Sequence, residues 1–157
     1  MGAVFEWVLL AYRMPREPST PRIAVWRKMK RLGVVQIVDG LVGLPADART
    51  REQLDWIADE VIEAGGTASV WTARPGSAAQ QRSFAAAIAD AAAAEYAAVI
   101  AEAAGARNAD PAERRRIVAR LRRELHRIAQ RDHFPPVERE RARRAVRELA
   151  RSVEVVS

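Results

Sequence analysis

The sequence contains no cysteine, so disulfides, thiolate metal sites and cysteine nucleophiles are excluded outright. Histidine is almost as scarce: only His126 and His133 occur, and neither has a serine or carboxylate at a recognisable catalytic spacing. No long hydrophobic run opens the chain. Val4 to Tyr12 is short, is interrupted by Glu6 and follows no basic stretch, which suits neither a membrane span nor a signal peptide. A cytoplasmic protein without membrane contact is the expectation. The glycines at Gly40, Gly43, Gly65 and Gly66 form no phosphate-cradling loop. What is present is ordinary for a folded soluble chain: 157 residues, 49% apolar and 29% charged. That length fits one domain, or one small domain with a helical appendage. The net charge of +6 comes almost wholly from arginine. It permits a nucleic-acid partner without establishing one.

The charge divides unevenly. Residues 1–75 carry 10 basic and 9 acidic side chains, whereas residues 76–157 carry 16 and 11. Texture changes at the same place, around Arg74-Pro75-Gly76-Ser77, where Pro-Gly punctuates the chain. Two regions are therefore expected: an α+β domain over 1–75 and an α-helical region over 76–157 packed on it.

In the first region, Val4 to Tyr12 is apolar on both alternating faces from Trp7 onward, the pattern of a central strand. Ser19-Thr20-Pro21 reads as a hydroxyl N-cap with proline at the first helical position, and Gly33 as the helix stop. Val34 to Val38, Asp39-Gly40 and Leu41 to Leu44 form a hairpin signal. Thr50 to Ala64 is amphipathic, with Leu54, Ile57, Val61 and Ile62 facing inward. Gly65-Gly66 ends that helix, and Thr67 to Ala73 is a last strand. The order βαββαβ with right-handed crossovers predicts a ferredoxin-like arrangement with the first strand central. The second region predicts a bundle of about three helices. Ser77 to Gln80 opens the first, whose inward face steps through Phe84, Ile88, Ala92, Tyr96 and Val99 or Ile100. Asp110-Pro111-Ala112-Glu113 opens the second, with Ile117, Leu121, Leu125 and Ile128 on one stripe. His133-Phe134-Pro135-Pro136 separates it from the third, striped by Ala142, Val146, Leu149 and Val153. Trp7, Trp26, Trp56 and Trp71 all fall on these elements and read as packing.

The most informative feature is the first helix. At 100° per residue, Val25, Trp26, Met29 and Leu32 share one arc and Arg27, Lys28, Lys30 and Arg31 the opposite one. From Arg22 to Arg31 there are five basic residues and no acid. Such a face can lie along phosphates and release counterions. The alternative is a solvated face, but an ordinary exposed helix mixes signs, as Thr50 to Glu63 does. A second group of candidate anion contacts, Arg114, Arg115, Arg122 and Arg123, lies in an arginine-rich stretch that glutamates partly offset. Asp55, Asp59 and Glu63 line one helix face, which reads as an acidic solvent face before a metal site. No catalytic set, metal site or cofactor is expected, and the chain reads as a non-enzyme.

Several of these pieces together resemble the N-terminal domain of the chromate-resistance regulator ChrB. They are Trp7-Val8-Leu9-Leu10, Pro15, the run Arg22 to Gly33, and Asp39-Gly40-Leu41-Val42-Gly43-Leu44-Pro45. The Gly65-Gly66 ending and Arg131-Asp132-His133-Phe134-Pro135 between two Arg/Glu-rich helices are similar to that family as well. The resemblance implies a DNA-associated regulator of a chromate response. It would contact duplex DNA through Arg22, Arg27, Lys28, Lys30 and Arg31, with homodimer formation as a further expectation. In outline the first region is similar to a domain shared by phenylacetate-pathway repressors and small CRISPR adaptation nucleases. Those nucleases use an acid near the end of the first strand, where this chain has Ala11-Tyr12-Arg13, so a metal-dependent nuclease is the remote alternative. Longer ChrB proteins carry a second domain to which chromate sensing is attributed, so chromate binding by these residues stays open. The other class of reading is a protein-interaction or dimerisation module that binds no DNA.

Overall fold

The computed structural model describes residues 3–156, which form four strands, five α-helices and one short 3-10 turn. The elements are β1 (Trp7–Arg13), α1 (Ser19–Leu32), β2 (Val35–Val38), β3 (Leu41–Pro45), α2 (Ala48–Glu63), β4 (Thr67–Ala73), α3 (Ala78–Gly105), α4 (Pro111–Gln130) and α5 (Glu138–Val156). The 3-10 turn, Ala106–Asn108, follows α3. The protein is α+β: one four-stranded antiparallel sheet in the order β2-β3-β1-β4, with its helices. The chain separates into two compact units, the first ending at Ile88 and the second beginning at Ala89, within α3.

In the first unit, β1 is an interior strand, paired with β3 through Val8↔Leu44 and with β4 through Leu9↔Trp71. Alternation sends Val8 and Leu10 to one face, where they meet Val25 and Met29 of α1 and Leu54, Ile57, Ala58 and Val61 of α2. Trp7 points the other way and is 1% exposed. Its ring lies 5.8 Å from that of Phe84, edge to face, and its Nε1 donates to Gln81 Oε1 at 3.3 Å. That same oxygen accepts from Phe5 N at 2.9 Å, and the Gln81 amide donates to Ala3 O. A buried amide is thus satisfied by the segment that leads into β1.

Turn chemistry fixes most of the boundaries. Gly33 closes α1 in the left-handed conformation with its N–H on Lys30 O, and Gly40 has φ +78 in the β2–β3 turn. Two helix starts differ from the sequence expectation. α1 begins at Ser19 after Pro18 with no side-chain cap, so Pro21 sits deeper in the first turn, where its missing N–H would lack a helical partner anyway. α2 begins at Ala48, and Thr50 is the third helical residue of a capping box. Asp47 Oδ1 accepts from Thr50 N at 2.7 Å, Thr50 Oγ1 accepts from Asp47 N at 3.0 Å, and Thr50 is itself buried. Ile62, expected inward, is exposed.

The second unit is helical. Its core joins Ala92, Tyr96, Val99 and Ala103 of α3 to Val118, Leu121 and Ile128 of α4 and to Ala142, Val146 and Leu149 of α5. The four residues expected inward on α5 are all buried; on α4 Val118 is buried while Ile117 and Leu125 are only partly so. Asp110 caps α4 by accepting from Glu113 N at 2.9 Å, with Pro111 in the first turn. At the junction before α5, Asp132 is buried and accepts from Tyr96 Oη at 2.8 Å, with Arg139 Nη1 at 3.7 Å. Arg131 is held bidentately by Glu95. By length and composition alone, α3 with the 3-10 turn could cross a membrane. Alanine supplies most of that apolarity, and Asp90, Glu95 and Glu102 interrupt it.

Candidate functional site

The five cations singled out on α1 are all exposed, but the structure does not bring them together as one face. Burial of Val25 and Met29 against the sheet sets the helix rotation. At 100° per residue, Arg27 then points straight outward, Ile23 and Arg31 lie about 40° to either side of it, Lys30 lies about 60° away, and Trp26 falls on the flank. Arg22 falls on the flank toward the end of β1, and Lys28 on the flank toward α2. Lys28 pairs with Glu60 of α2, so an acid from another element partly neutralises that side. Lys30 Nζ stands 4.5 Å from the centroid of Trp26, a cation–π contact. Arg22, Arg27 and Arg31 have no partner among the described residues.

Trp26 is therefore a surface residue, 50% exposed, and so are Trp56 and Trp71. Only Trp7 of the four tryptophans is core. The reason is geometric. α1 and α2 each bury just the arc toward the sheet, and their tryptophans lie at or beyond its edge. Trp71 stands opposite Leu9 on an edge strand, on the sheet face away from α1 and α2.

Arg22 and Trp26 reach a feature that no sequence pattern announces. A cleft of about 520 Å³ opens between the first half of α1, the end of β1 and the β2–β3 turn. Val25, Met29 and Met14 give it an apolar floor; Trp26 and Tyr12 are its aromatic walls; Arg13, Arg22 and Asp39 bring charge. The turn is locked onto β1 by Tyr12 N donating to Gly40 O at 2.8 Å. Burial first, and the Asp39 carboxylate second, push the Tyr12 hydroxyl above its ordinary pKa, so it stays a proton donor. One hint is present in the sequence: Arg13 follows Tyr12 at the end of the strand, and Asp39 opens the turn that must return beside it. A second, smaller groove lies between α1 and α2, lined by Lys28, Arg31, Trp56 and Glu60.

The arginines of α4 sort differently. Arg115, Arg122 and Arg123 are exposed and have no partner among the described residues. Arg122 and Arg123 share a shallow surface with His126 and Arg127. Arg114 is drawn into the helix pair, with Nη1 at 3.2 Å from Ser152 Oγ of α5 and its Nε buried without a partner. Nearby arginines are tied to acids: Arg120 to Glu102, Arg127 to Glu124 and Arg143 to Glu140. Asp55, Asp59 and Glu63 are exposed, and the described residues hold no group of three or more potential metal ligands.

Residues 22–110, more than half of the chain, match the family model described as "Protein ChrB, N-terminal". No curated protein and no solved structure matches the chain.

Proposed function

The chain belongs to the ChrB N-terminal family, and from that premise we propose that it is a non-enzymatic regulator of chromate resistance that contacts duplex DNA in the cytoplasm. The observation that carries the DNA contact is the outer face of α1. Arg27, Lys30 and Arg31, with Arg22 on its flank, stand exposed and without acidic partners over about two and a half turns. Cations without acidic partners gain most from phosphate, because no carboxylate must be displaced before they bind and counterions are released when they do. Lys28, held by Glu60, is the weakest member of the set. We read the first unit as ferredoxin-like on its element order and strand order. A nuclease role is disfavoured because the end of β1 carries Tyr12 and Arg13 in place of a carboxylate.

The test is duplex affinity as a function of salt. The parent chain should bind duplex DNA at low salt with a steep salt slope. Replacing Arg22, Arg27, Lys30 and Arg31 by Ala should lower that slope by roughly 0.9 for each phosphate that is no longer neutralised. No affinity for any duplex at low salt sinks the proposal.

A second reading, self-association, rests on β4. It is an edge strand whose run Thr67 to Ala73 contains no charge or proline and exposes Trp71. Edges so unguarded are templates for pairing. Light scattering that shows a dimer, reduced to monomer by Ser69→Lys, favours this reading.

A further inference from the structure

We propose that the cleft at the end of β1 is a binding site for a mononucleotide with an amine-bearing base. Its parts come from three elements and suit the parts of such a ligand. The aromatic faces of Trp26 and Tyr12, with the thioethers of Met14 and Met29, form an apolar slot that accepts a flat ring. Arg13 and Arg22 border the same space, and neither has a partner among the described residues, so both are free to take a phosphate by charge-assisted hydrogen bonds. The base edge is read by a donor beside an acceptor. The Tyr12 hydroxyl is kept protonated by burial and by Asp39. Asp39 accepts from Gln36 Nε2 on Oδ1 at 3.1 Å, which leaves Oδ2 for an exocyclic amine. A cavity of about 520 Å³ lies within the usual size of small-molecule sites. Lys30, stacked on Trp26, adds positive potential at the ring and favours an anionic ligand.

This assignment shares Arg22 and Lys30 with the DNA reading, but it concerns a free ligand and is measured without DNA, so the two can fail separately. Isothermal titration of the full chain with AMP, adenosine, ribose 5-phosphate and IMP tests it. Saturable AMP binding is expected, with adenosine and ribose 5-phosphate each at least about tenfold weaker, because each lacks one half of the recognition. IMP should bind more weakly than AMP, and Asp39→Asn should erase that preference. Arg22→Ala should weaken AMP about tenfold and leave adenosine unchanged, whereas Trp26→Ala should weaken both. These side chains lie on the surface, and a melting temperature close to that of the parent verifies the fold of each variant. Three outcomes overturn the proposal: no saturable AMP binding at millimolar ligand, ribose 5-phosphate binding as tightly as AMP, or AMP binding untouched by Arg22→Ala and Trp26→Ala. Tighter binding by a short single strand that begins with 5′-phosphoadenosine also overturns it, because the site then serves a strand end and not a free nucleotide.

Discussion

The two compact units solve the same problem with opposite materials. The first builds its core from branched and long aliphatic side chains of a sheet, Val8, Leu10 and Leu44, and of α2, Leu54 and Val61, and leaves three tryptophans on its surface. The second builds much of its core from alanine, with Ala92, Ala103, Ala106 and Ala142 all buried, and closes it around a buried polar contact between Tyr96 and Asp132. The charges differ in the same sense. The outward cations of α1 mostly lack partners, while many arginines of the helical unit are spent on glutamates or on the helix pair. An arginine count therefore says little about where phosphate would bind. What matters is which cations are left over once each unit has satisfied its own acids.

Core substitutions should separate the units most sharply. Leu10→Ala removes a fully buried side chain from the sheet face and should cost about 2–5 kcal/mol of the first unit's stability, measured by denaturant unfolding. In the helical unit enlargement is the damaging change. Ala142→Leu should cost about 1–3 kcal/mol, because a fully buried alanine between helices leaves no room for a longer side chain. If Ala142→Leu proves neutral or stabilising, the contrast between a filled core and a close-approach core fails.

Next in size is the polar contact. Tyr96→Phe leaves one Asp132 oxygen without its hydroxyl donor and should destabilise the second unit by about 1–3 kcal/mol. It should also change the alkaline limb of stability. Burial, then the hydrogen bond to Asp132, holds the Tyr96 hydroxyl well above the ordinary tyrosine value; Tyr12 is raised too, by burial and then by Asp39. Below about pH 10 both tyrosines are protonated in the folded and unfolded chains, and this stability is fully present. Above that, the unfolded chain loses its tyrosine protons first, so stability falls as pH rises toward the folded values. In Tyr96→Phe only Tyr12 should contribute to that fall, which melting curves at alkaline pH can read.

The smallest effect sharpens the charge comparison. Glu60→Gln breaks an exposed pair and should change stability by no more than about 0.5 kcal/mol. It frees Lys28, however, and should steepen the salt slope of duplex binding by up to roughly 0.9. An unchanged slope would mean that Lys28 lies outside the DNA-facing surface.

Local chemistry makes much of this legible in the sequence. Gly33, the Asp39-Gly40 turn, Gly65-Gly66 and the Asp110-Glu113 cap each mark a boundary through a backbone requirement that few other residues meet. Taking Thr50 as the first residue of α2 misplaces its start, because the cap is Asp47 and Thr50 answers it. Hydrophobicity alone misjudges the tryptophans, because it does not say how wide an arc a helix buries. Trp26 lies only 100° from the buried Val25, yet it is half exposed. The candidate site is legible as a set of cations on α1 and illegible as an arrangement. The pairing of Lys28 with Glu60 spans 32 residues, and the cleft needs a strand end, a helix flank and a turn at once.

The bonds of Gln81 bear on how this protein can be cut. β1 is the strand that holds β3 and β4 in one sheet, and Gln81 reaches back to Ala3, Phe5 and Trp7 just ahead of it and at its start. A fragment begun at Arg22 keeps every cation of α1 but loses β1. What remains is the hairpin of β2 and β3, and a β4 without β1, the strand it pairs with. Expression fragments meant to isolate the first unit should therefore begin no later than Ala3 and extend past Ile88.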